Sequence, residues 1–296
     1  MGMKENIFNS SKSSNQNSIM IFAPHPDDET LGCAGEIIKA IELGETVKVV
    51  VITNGDGFAK AASVNSGKNI IDLLPDDFLE VARLRQEGAL AATNVLGLKS
   101  EDIYFLSYPD GGLASMRNLT GNIPFIQAHT KKSQTYGLDF PDYHTLKHRM
   151  PAPYLWSMAL KDISELLQTF RPKRIYITDE ADGHSDHQAA YHLVCEAALM
   201  ANFEGEIYTY LIHSVSGTWP WPRGASPEKP YGLHIEDGLQ IPNGIDWPPQ
   251  IRCPLTPAMV AIKTLAIHKY ELEMNLCGEY IESFIKSEEI FWQRNL

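Results

Sequence analysis

The feature that most constrains the fold of this chain is a repeated alternation of short apolar segments with segments of helical periodicity. Ile19–Ala23 and VKVVVIT at 47–53 are apolar runs, and LGCAGEIIKAIELG between them carries apolar residues at helical spacing. A strand, a helix and a second strand within about 35 residues make a βαβ unit, which requires parallel strands. The first 55 residues therefore favour a parallel sheet.

The same alternation continues along the chain. Further strands are predicted at DIYFLSY (102–108), RPKRIYITD (171–179) and IYTYLIH (207–213), with helices over 76–96, 153–170 and 187–201. Two helical stretches, 256–276 and 278–292, are predicted to close the chain. The fold class is therefore α/β, a Rossmann-like, doubly wound and mostly parallel sheet. We expect a disordered segment at 1–18 and a single domain over 19–296.

Two long insertions interrupt this pattern, and we expect both to wall a binding site. Residues 110–152 are polar and rich in His, Lys and Tyr, while 214–257 hold nine of the 18 prolines. Trp219, Trp221 and Trp247 lie in the second insertion, where they either stack on a ligand or anchor the loop by packing.

Charge and composition exclude several function classes. The 25 Lys and Arg residues against 37 Asp and Glu give a net charge of −12, which disfavours nucleic acid and anionic membrane surfaces as partners. The four cysteines form no CxxC pair, and no apolar run is long enough to span a membrane. Residues 1–18 lack the apolar core of a secretory signal. We expect a cytoplasmic protein without an integral membrane segment.

The first cluster of chemically active residues is APHPDDET at 23–30, between a strand and a helix. His25 and Asp28 are three residues apart, so one helical turn can direct both at one point. An imidazole and a carboxylate suit Zn²⁺, and Asp27 beside them would be free to act as a base. The alternative is that the acidic residues only cap the helix.

The second cluster is TDEADGHSDH at 178–187, which also follows a strand and precedes a helix. Sites in open α/β sheets form beyond the carboxyl ends of the strands, so the two clusters should meet at one sheet edge. One histidine of this cluster would complete a three-ligand zinc site with His25 and Asp28. The other would serve acid/base or electrostatic work, held by Asp186.

APHPDDETLGCAG together with GHSDHQAA resembles the LmbE-like (PIG-L) family of metal-dependent N-deacetylases. The resemblance extends over FLSYPDGGL at 105–113 and over the helix that carries Arg85. It implies a hydrolase that removes acetyl groups from N-acetylglucosamine units of small-molecule conjugates. It also implies that His25, Asp28 and His187 are the metal ligands, with Zn²⁺ as the metal or Fe²⁺ in its place.

The resemblance also implies roles for residues around the metal. Asp27 becomes the general base for a metal-activated water, and His184 stabilises the oxyanion or protonates the leaving amine. Asp186 orients His184. Arg85 and Asp110 match positions that bind sugar hydroxyls or neighbouring groups in related enzymes.

Several alternatives stay open at this stage. Arg83 rivals Arg85 as the arginine of the site, and Asp182 stands where some relatives carry tyrosine. The other seven histidines, including His213, are interpreted as surface or structural residues. Two histidines and one carboxylate also describe a non-haem iron site, so an iron enzyme or a hydrolase of another amide competes with the deacetylase. A non-catalytic binding domain is the third class, and a homo-oligomer is possible.

Overall fold

The computed structural model describes residues 17–214, 219–233 and 245–296. The strands in this part of the chain are β1 Ser18–Ala23, β2 Thr46–Thr53, β3 Ile103–Tyr108, β4 Arg174–Thr178, β5 Glu206–Tyr210, β6 Ile251–Pro254 and β7 Glu288–Arg294. The helices are α1 Asp28–Glu42, α2 Ala59–Ser66, α3 Pro75–Val95, α4 Leu113–Asn118, α5 Tyr143–His148, α6 Trp156–Phe170, α7 Ser185–Met200, α8 Pro257–Ile267 and α9 Glu271–Glu282.

The strands form a sheet in the order β3-β2-β1-β4-β5-β7-β6. The first five run parallel, and β7 pairs antiparallel with β5 and β6. The predicted α/β class and its mostly parallel, doubly wound sheet are confirmed. Strand order reverses between β1 and β4, and this switch point is where ligands bind in folds of this kind. One His/Asp cluster follows β1 and the other follows β4.

Apolar side chains on both faces of the sheet build two cores. Along β1, Ile19 and Ile21 belong to the core beneath α1, α3 and α8, while Met20 and Phe22 belong to the core beneath α6 and α7. All four are at most 1% exposed. Burial on both faces explains why β1 is continuously apolar rather than alternating.

The predicted helix over 278–292 is wrong. α9 ends at Glu282, and residues 288–294 form β7 instead. Ile290, Phe291 and Trp292 are all buried there. A short apolar run of this length fits a buried strand as well as a helix, and the sheet edge offered by β5 decided the outcome. The predicted helix over 256–276 is divided between α8 and α9 by a turn at 268–270.

The insertions contain more regular structure than the sequence predicted. The 110–152 insertion contains α4 and α5, and β6 lies within the 214–257 insertion. The Trp219 indole donates to the Leu211 carbonyl at 2.9 Å and stacks on Tyr231, with Trp247 edge-on to it. These contacts support the packing interpretation for Trp219 and Trp247.

Some sequence expectations fall on other parts of the chain. Residues 1–16 of the predicted disordered segment, and 215–218 and 234–244 of the second insertion, lie outside the described residues. Within the described ranges, no helix is long and apolar enough to cross a membrane. The four cysteines are free thiols.

Candidate functional site

The turn from β1 into α1 presents the first cluster. Asp27 is the N-cap of α1 and has a φ of 125°, a region that L residues rarely occupy. Hydrogen bonds hold this conformation. The backbone N–H and the hydroxyl of Thr53 both donate to the Pro24 carbonyl, and the Asp27 backbone N–H donates to the Glu29 carboxylate at 3.2 Å. The surrounding contacts therefore fix a strained turn.

Three donor atoms converge between β1 and β4. His25 Nδ1 lies 3.0 Å from His187 Nε2, and Asp28 Oδ2 lies 3.4 and 3.3 Å from these two nitrogens. Tetrahedral zinc with bonds of about 2.0–2.1 Å separates its ligand atoms by roughly 3.3 Å. The predicted set of His25, Asp28 and His187 therefore comes together with the spacing and chemistry that a zinc ion requires.

The remaining nitrogen of each histidine faces a carboxylate. His25 Nε2 lies 3.1 Å from Asp110 Oδ1, and His187 Nδ1 lies 3.3 Å from Asp182 Oδ2. Such carboxylates fix the tautomer of a metal-binding imidazole and direct its other nitrogen at the metal. The structure thus pairs Asp110 with His25, one of the predicted ligands, while Asp110 also lines the cavity and its predicted contact with a sugar stays a prediction.

The electrostatics of the centre favour a cation. Burial acts to lower the pKa of His187, but Asp28 and Asp182 outweigh it and raise that pKa to about 9. Burial likewise opposes charge on His25, yet Asp110 and the neighbouring carboxylates hold its pKa well above the usual value. Two buried imidazoles that attract protons this strongly lie in a field that would equally stabilise a metal ion.

Asp27 lies at the wall of the same centre. Burial raises the pKa of its carboxyl well above the ordinary value, and the Arg85 guanidinium acts in the opposite direction. Its Oδ2 lies 3.1 Å from Arg85 Nη2. Burial therefore makes this carboxylate a better proton acceptor than an exposed one.

The structure distinguishes the two candidate arginines. Arg85 is 6% exposed, donates to the Pro26 carbonyl at 2.9 Å, and pairs with Glu273 at 2.6 Å. Arg83 instead pairs with Glu80 and Glu87 on the outer face of α3. Arg85 is therefore the arginine of the site, and its contacts are with the Asp27 turn.

His184 is the N-cap of α7, and its side chain also faces the site. Its Nδ1 accepts the Asp186 backbone N–H at 3.2 Å, so the neutral ring carries its proton on Nε2. Burial lowers the pKa of His184 to about 4, and the charges of His25 and His187 add to this. At neutral pH His184 is therefore an uncharged N–H donor.

Asp186 holds the His184 ring through its backbone N–H, whereas its carboxylate has other partners. Its two oxygens accept the backbone N–H groups of Gly111 at 2.6 Å and Leu113 at 3.1 Å, and Oδ2 lies 3.6 Å from His25 Nε2. The loop after β3 supplies these donors, and nothing in the local sequence of the second cluster indicates where that loop lies. Asp186 thus anchors the loop that carries Asp110.

A cavity of about 410 Å³ opens onto these residues. Its polar wall is formed by both predicted clusters and by the 110–111 turn. Phe58, Ile212, Tyr280 and Ile281 add an apolar wall. The cavity thus combines a floor of histidine and carboxylate side chains with an apolar wall that can contact an organic ligand.

Residues 20–198 match the family model described as PIG-L: GlcNAc-PI de-N-acetylase, which is more than half of the chain. The chain belongs to the PIG-L family. A 22% identical relative, a glucosamine-6-phosphate deaminase-like protein of Bacteroides thetaiotaomicron, aligns with 94% of this chain. The chain spans 38% of the length of that relative.

Solved structures share the fold of this PIG-L family member. The N,N′-diacetylchitobiose deacetylase of Pyrococcus horikoshii has a TM-score of 0.55 at 16% identity, covering 94% of this chain and 84% of that one. GalB, the 4-carboxy-2-hydroxymuconate hydratase of Pseudomonas putida, has a TM-score of 0.52 at 16% identity, covering 95% and 100%. The scaffold therefore occurs in proteins named for different reactions.

Several residues of the site were missed by sequence reasoning, and three of them lie beyond the region matched by the PIG-L model. Glu273 and Tyr280 come from α9, and His213 follows β5. Tyr280 donates to the Ile212 carbonyl at 2.7 Å and lies 2.9 Å from His213 Nδ1. Burial lowers the pKa of His213 to about 3. The position of His213 after a strand was a usable signal, whereas α9 offered none.

Asp182 was noted from the sequence only as a departure from some relatives. In the structure it is fully buried, and its carboxylate accepts the backbone N–H groups of His184, Ile212 and His213. It therefore holds the second cluster and the end of β5 together while facing His187.

Proposed function

We propose that this protein is a zinc-dependent N-deacetylase that hydrolyses the acetamide of an N-acetylglucosamine-type conjugate. The observation that carries the proposal is the convergence of three donor atoms within 3.0–3.4 Å of one another. Asp27 and His184 line the same cavity. Membership of the PIG-L family and the likeness to a diacetylchitobiose deacetylase support this choice.

His25, Asp28 and His187 would hold the ion. When bound, Zn²⁺ or Fe²⁺ would lower the pKa of a water molecule and polarise the acetyl carbonyl. Asp110 and Asp182 would keep the two imidazoles in the binding tautomer. Their role in the proposal is positioning.

Asp27 would accept the proton of the attacking water as its oxygen bonds to the acetyl carbon. Arg85 would hold the Asp27 carboxylate in place through their ion pair. Glu273, whose carboxylate lies 2.6 Å from Arg85 Nε, would in turn position Arg85. The Nε2–H of neutral His184 would donate to the oxygen that becomes negative. Cleavage of the C–N bond then requires a proton on the nitrogen, which protonated Asp27 can return, giving acetate and a free amine.

The cavity volume of about 410 Å³ lies in the range of sites that bind small molecules. In this proposal the sugar lies against the apolar wall formed by Phe58, Tyr280 and Ile281, where ring faces can contact it. We further propose that the protein acts in the cytoplasm.

The test is acetate release together with primary-amine release from a panel of N-acetylglucosamine conjugates, using zinc-loaded wild type and Asp27→Asn. We expect equal yields of both products from the wild type and nearly none from the variant, with bound zinc unchanged. Arg83→Gln, on the outer face of α3, is the matched control and should keep wild-type turnover. Metal retention without acetate from any conjugate would refute the deacetylase assignment.

A hydratase is the second candidate, because GalB aligns over the whole of its own length. Addition of water to an unsaturated carboxylic acid, measured as the loss of the ultraviolet absorption of that acid, would identify this activity. Oxygen uptake with Fe²⁺ would instead identify the non-haem iron alternative.

A further inference from the structure

A second group of histidines and carboxylates lies between α5 and α6. α5 carries His144 and His148, four residues apart, and α6 carries Asp162 and Glu165, three residues apart. These spacings place each pair on one face of its helix. Donor atoms of His144, His148 and Asp162 all lie within 4.8 Å of one another.

Each imidazole of this group faces a carboxylate. His144 Nδ1 lies 2.7 Å from Asp162 Oδ1, and His148 Nε2 lies 2.9 Å from Glu165 Oε2. The two rings are adjacent, with centroids 4.4 Å apart. Tyr108 donates to the other oxygen of Asp162 at 2.7 Å, which leaves Oδ1 directed at His144. The group therefore brings two imidazoles and two carboxylates together with an outer hydrogen bond that orients one of them.

The burial of the group is graded from the interior to the surface. Asp162 is fully buried and His144 nearly so, whereas the side chains of His148 and Glu165 are each 25% exposed. The inner pair would hold its donors in a fixed position, and the outer pair leaves a route from solvent. A metal site requires both properties.

We propose that His144, His148, Asp162 and Glu165 bind a second divalent transition metal ion, of the zinc type. Imidazole nitrogen and carboxylate oxygen are both zinc ligands, and four of them complete a closed tetrahedral site. The ion would replace the protons that each imidazole now shares with its carboxylate, so binding releases protons to solvent.

This second ion would join the 110–152 insertion to the scaffold. α5 belongs to the insertion, and α6 packs against α7. The same insertion carries Gln127, which donates to the Asp110 carbonyl at 3.1 Å. The site is a structural one, and it stands independently of the proposed hydrolysis.

The test is the metal content of the whole chain, saturated with Zn²⁺, dialysed against metal-free buffer and measured by plasma mass spectrometry. We expect two ions per chain in the wild type and one in His148→Gln, which alters a partly exposed ligand. His268→Gln is the matched control, because His268 forms a surface pair with Glu282 at 2.9 Å, and it should keep two. Circular dichroism checks folding, and Glu165→Gln replaces His148→Gln if that variant does not fold.

The outcomes separate the two sites. One ion in both wild type and His148→Gln overturns the proposal, and two ions in both place the second ion elsewhere and overturn it equally. One ion in the wild type that is lost in His148→Gln supports this site and counts against metal binding at His25. Added Zn²⁺ should also raise the thermal midpoint of the wild type more than that of His148→Gln.

Discussion

The Asp110 carboxylate should set how firmly His25 binds a metal ion, and Asp110→Asn tests this. Asp110 Oδ1 lies 3.1 Å from His25 Nε2, and Oδ2 accepts the Gly57 backbone N–H. The single oxygen of asparagine can serve one of these partners, and its NH₂ group then faces an N–H donor at the other. The loss of one hydrogen bond to a charged acceptor is worth about 1.5–3 kcal/mol. This corresponds to zinc binding weaker by about 10–100-fold.

The assay is a zinc dissociation constant measured by competition with a coloured chelator at neutral pH. Asp102→Asn is the matched control, since Asp102 pairs with Lys48 at 2.7 Å far from the site, and its zinc affinity should equal that of the wild type. If Asp110 instead binds the sugar, the variant keeps its zinc affinity and raises only the KM for the conjugate. That result would refute the positioning role assigned here.

The remaining predictions concern catalysis and stability. Asp27→Asn should retain zinc and lose about 10²–10⁴-fold in kcat, as measured by amine release, because the base is removed while the ligands stay; loss of zinc would contradict this. Lys263→Met should lower the free energy of unfolding by about 3–5 kcal/mol in urea, because it leaves Glu289 buried without the ammonium 2.8 Å away. The exposed control Lys39→Met should change it by less than about 1 kcal/mol. Burial lowers the pKa of Lys286 from 10.5 to about 8, so the unfolded chain binds more protons between these values and the stability of the wild type rises with pH across that window. The unfolding free energy of Lys286→Met should depend less on pH across that window, and parallel curves for the two proteins would show that Lys286 does not cause the effect.

The sequence identified the five parallel strands and the two His/Asp clusters because both depend on local patterns. The apolar runs of β1 and β4 end at Ala23 and Thr178, and the rule for parallel sheets then places the two clusters that follow them on one edge. Side-chain partners across the site could not be predicted in this way. Asp186 and Asp110 were given roles from their position along the chain, whereas their actual partners lie in loops whose paths depend on tertiary packing.

The C-terminal region escaped prediction for a different reason. Ile290, Phe291 and Trp292 have no periodicity of their own, and the antiparallel edge of β5 gave them a strand to pair with. Glu273 reaches Arg85 because α9 packs beside α3, a contact between segments almost 200 residues apart. Contacts between segments so far apart in sequence cannot be predicted from the pattern of either segment alone.

The position of the ligands at the reversal of strand order has an evolutionary consequence. His25 and Asp28 follow β1, and His187 follows β4, so the backbone of the sheet itself fixes the triangle of proposed ligands. Half of the residues that line the cavity come from other segments: the turn after β2, the end of β5 and α9. These segments can diverge without moving the triangle, except where a buried carboxylate ties the wall to it: Asp186 holds 110–113, and Asp182 holds the end of β5. A scaffold arranged in this way can acquire new substrates by drift in its walls while one inherited centre persists.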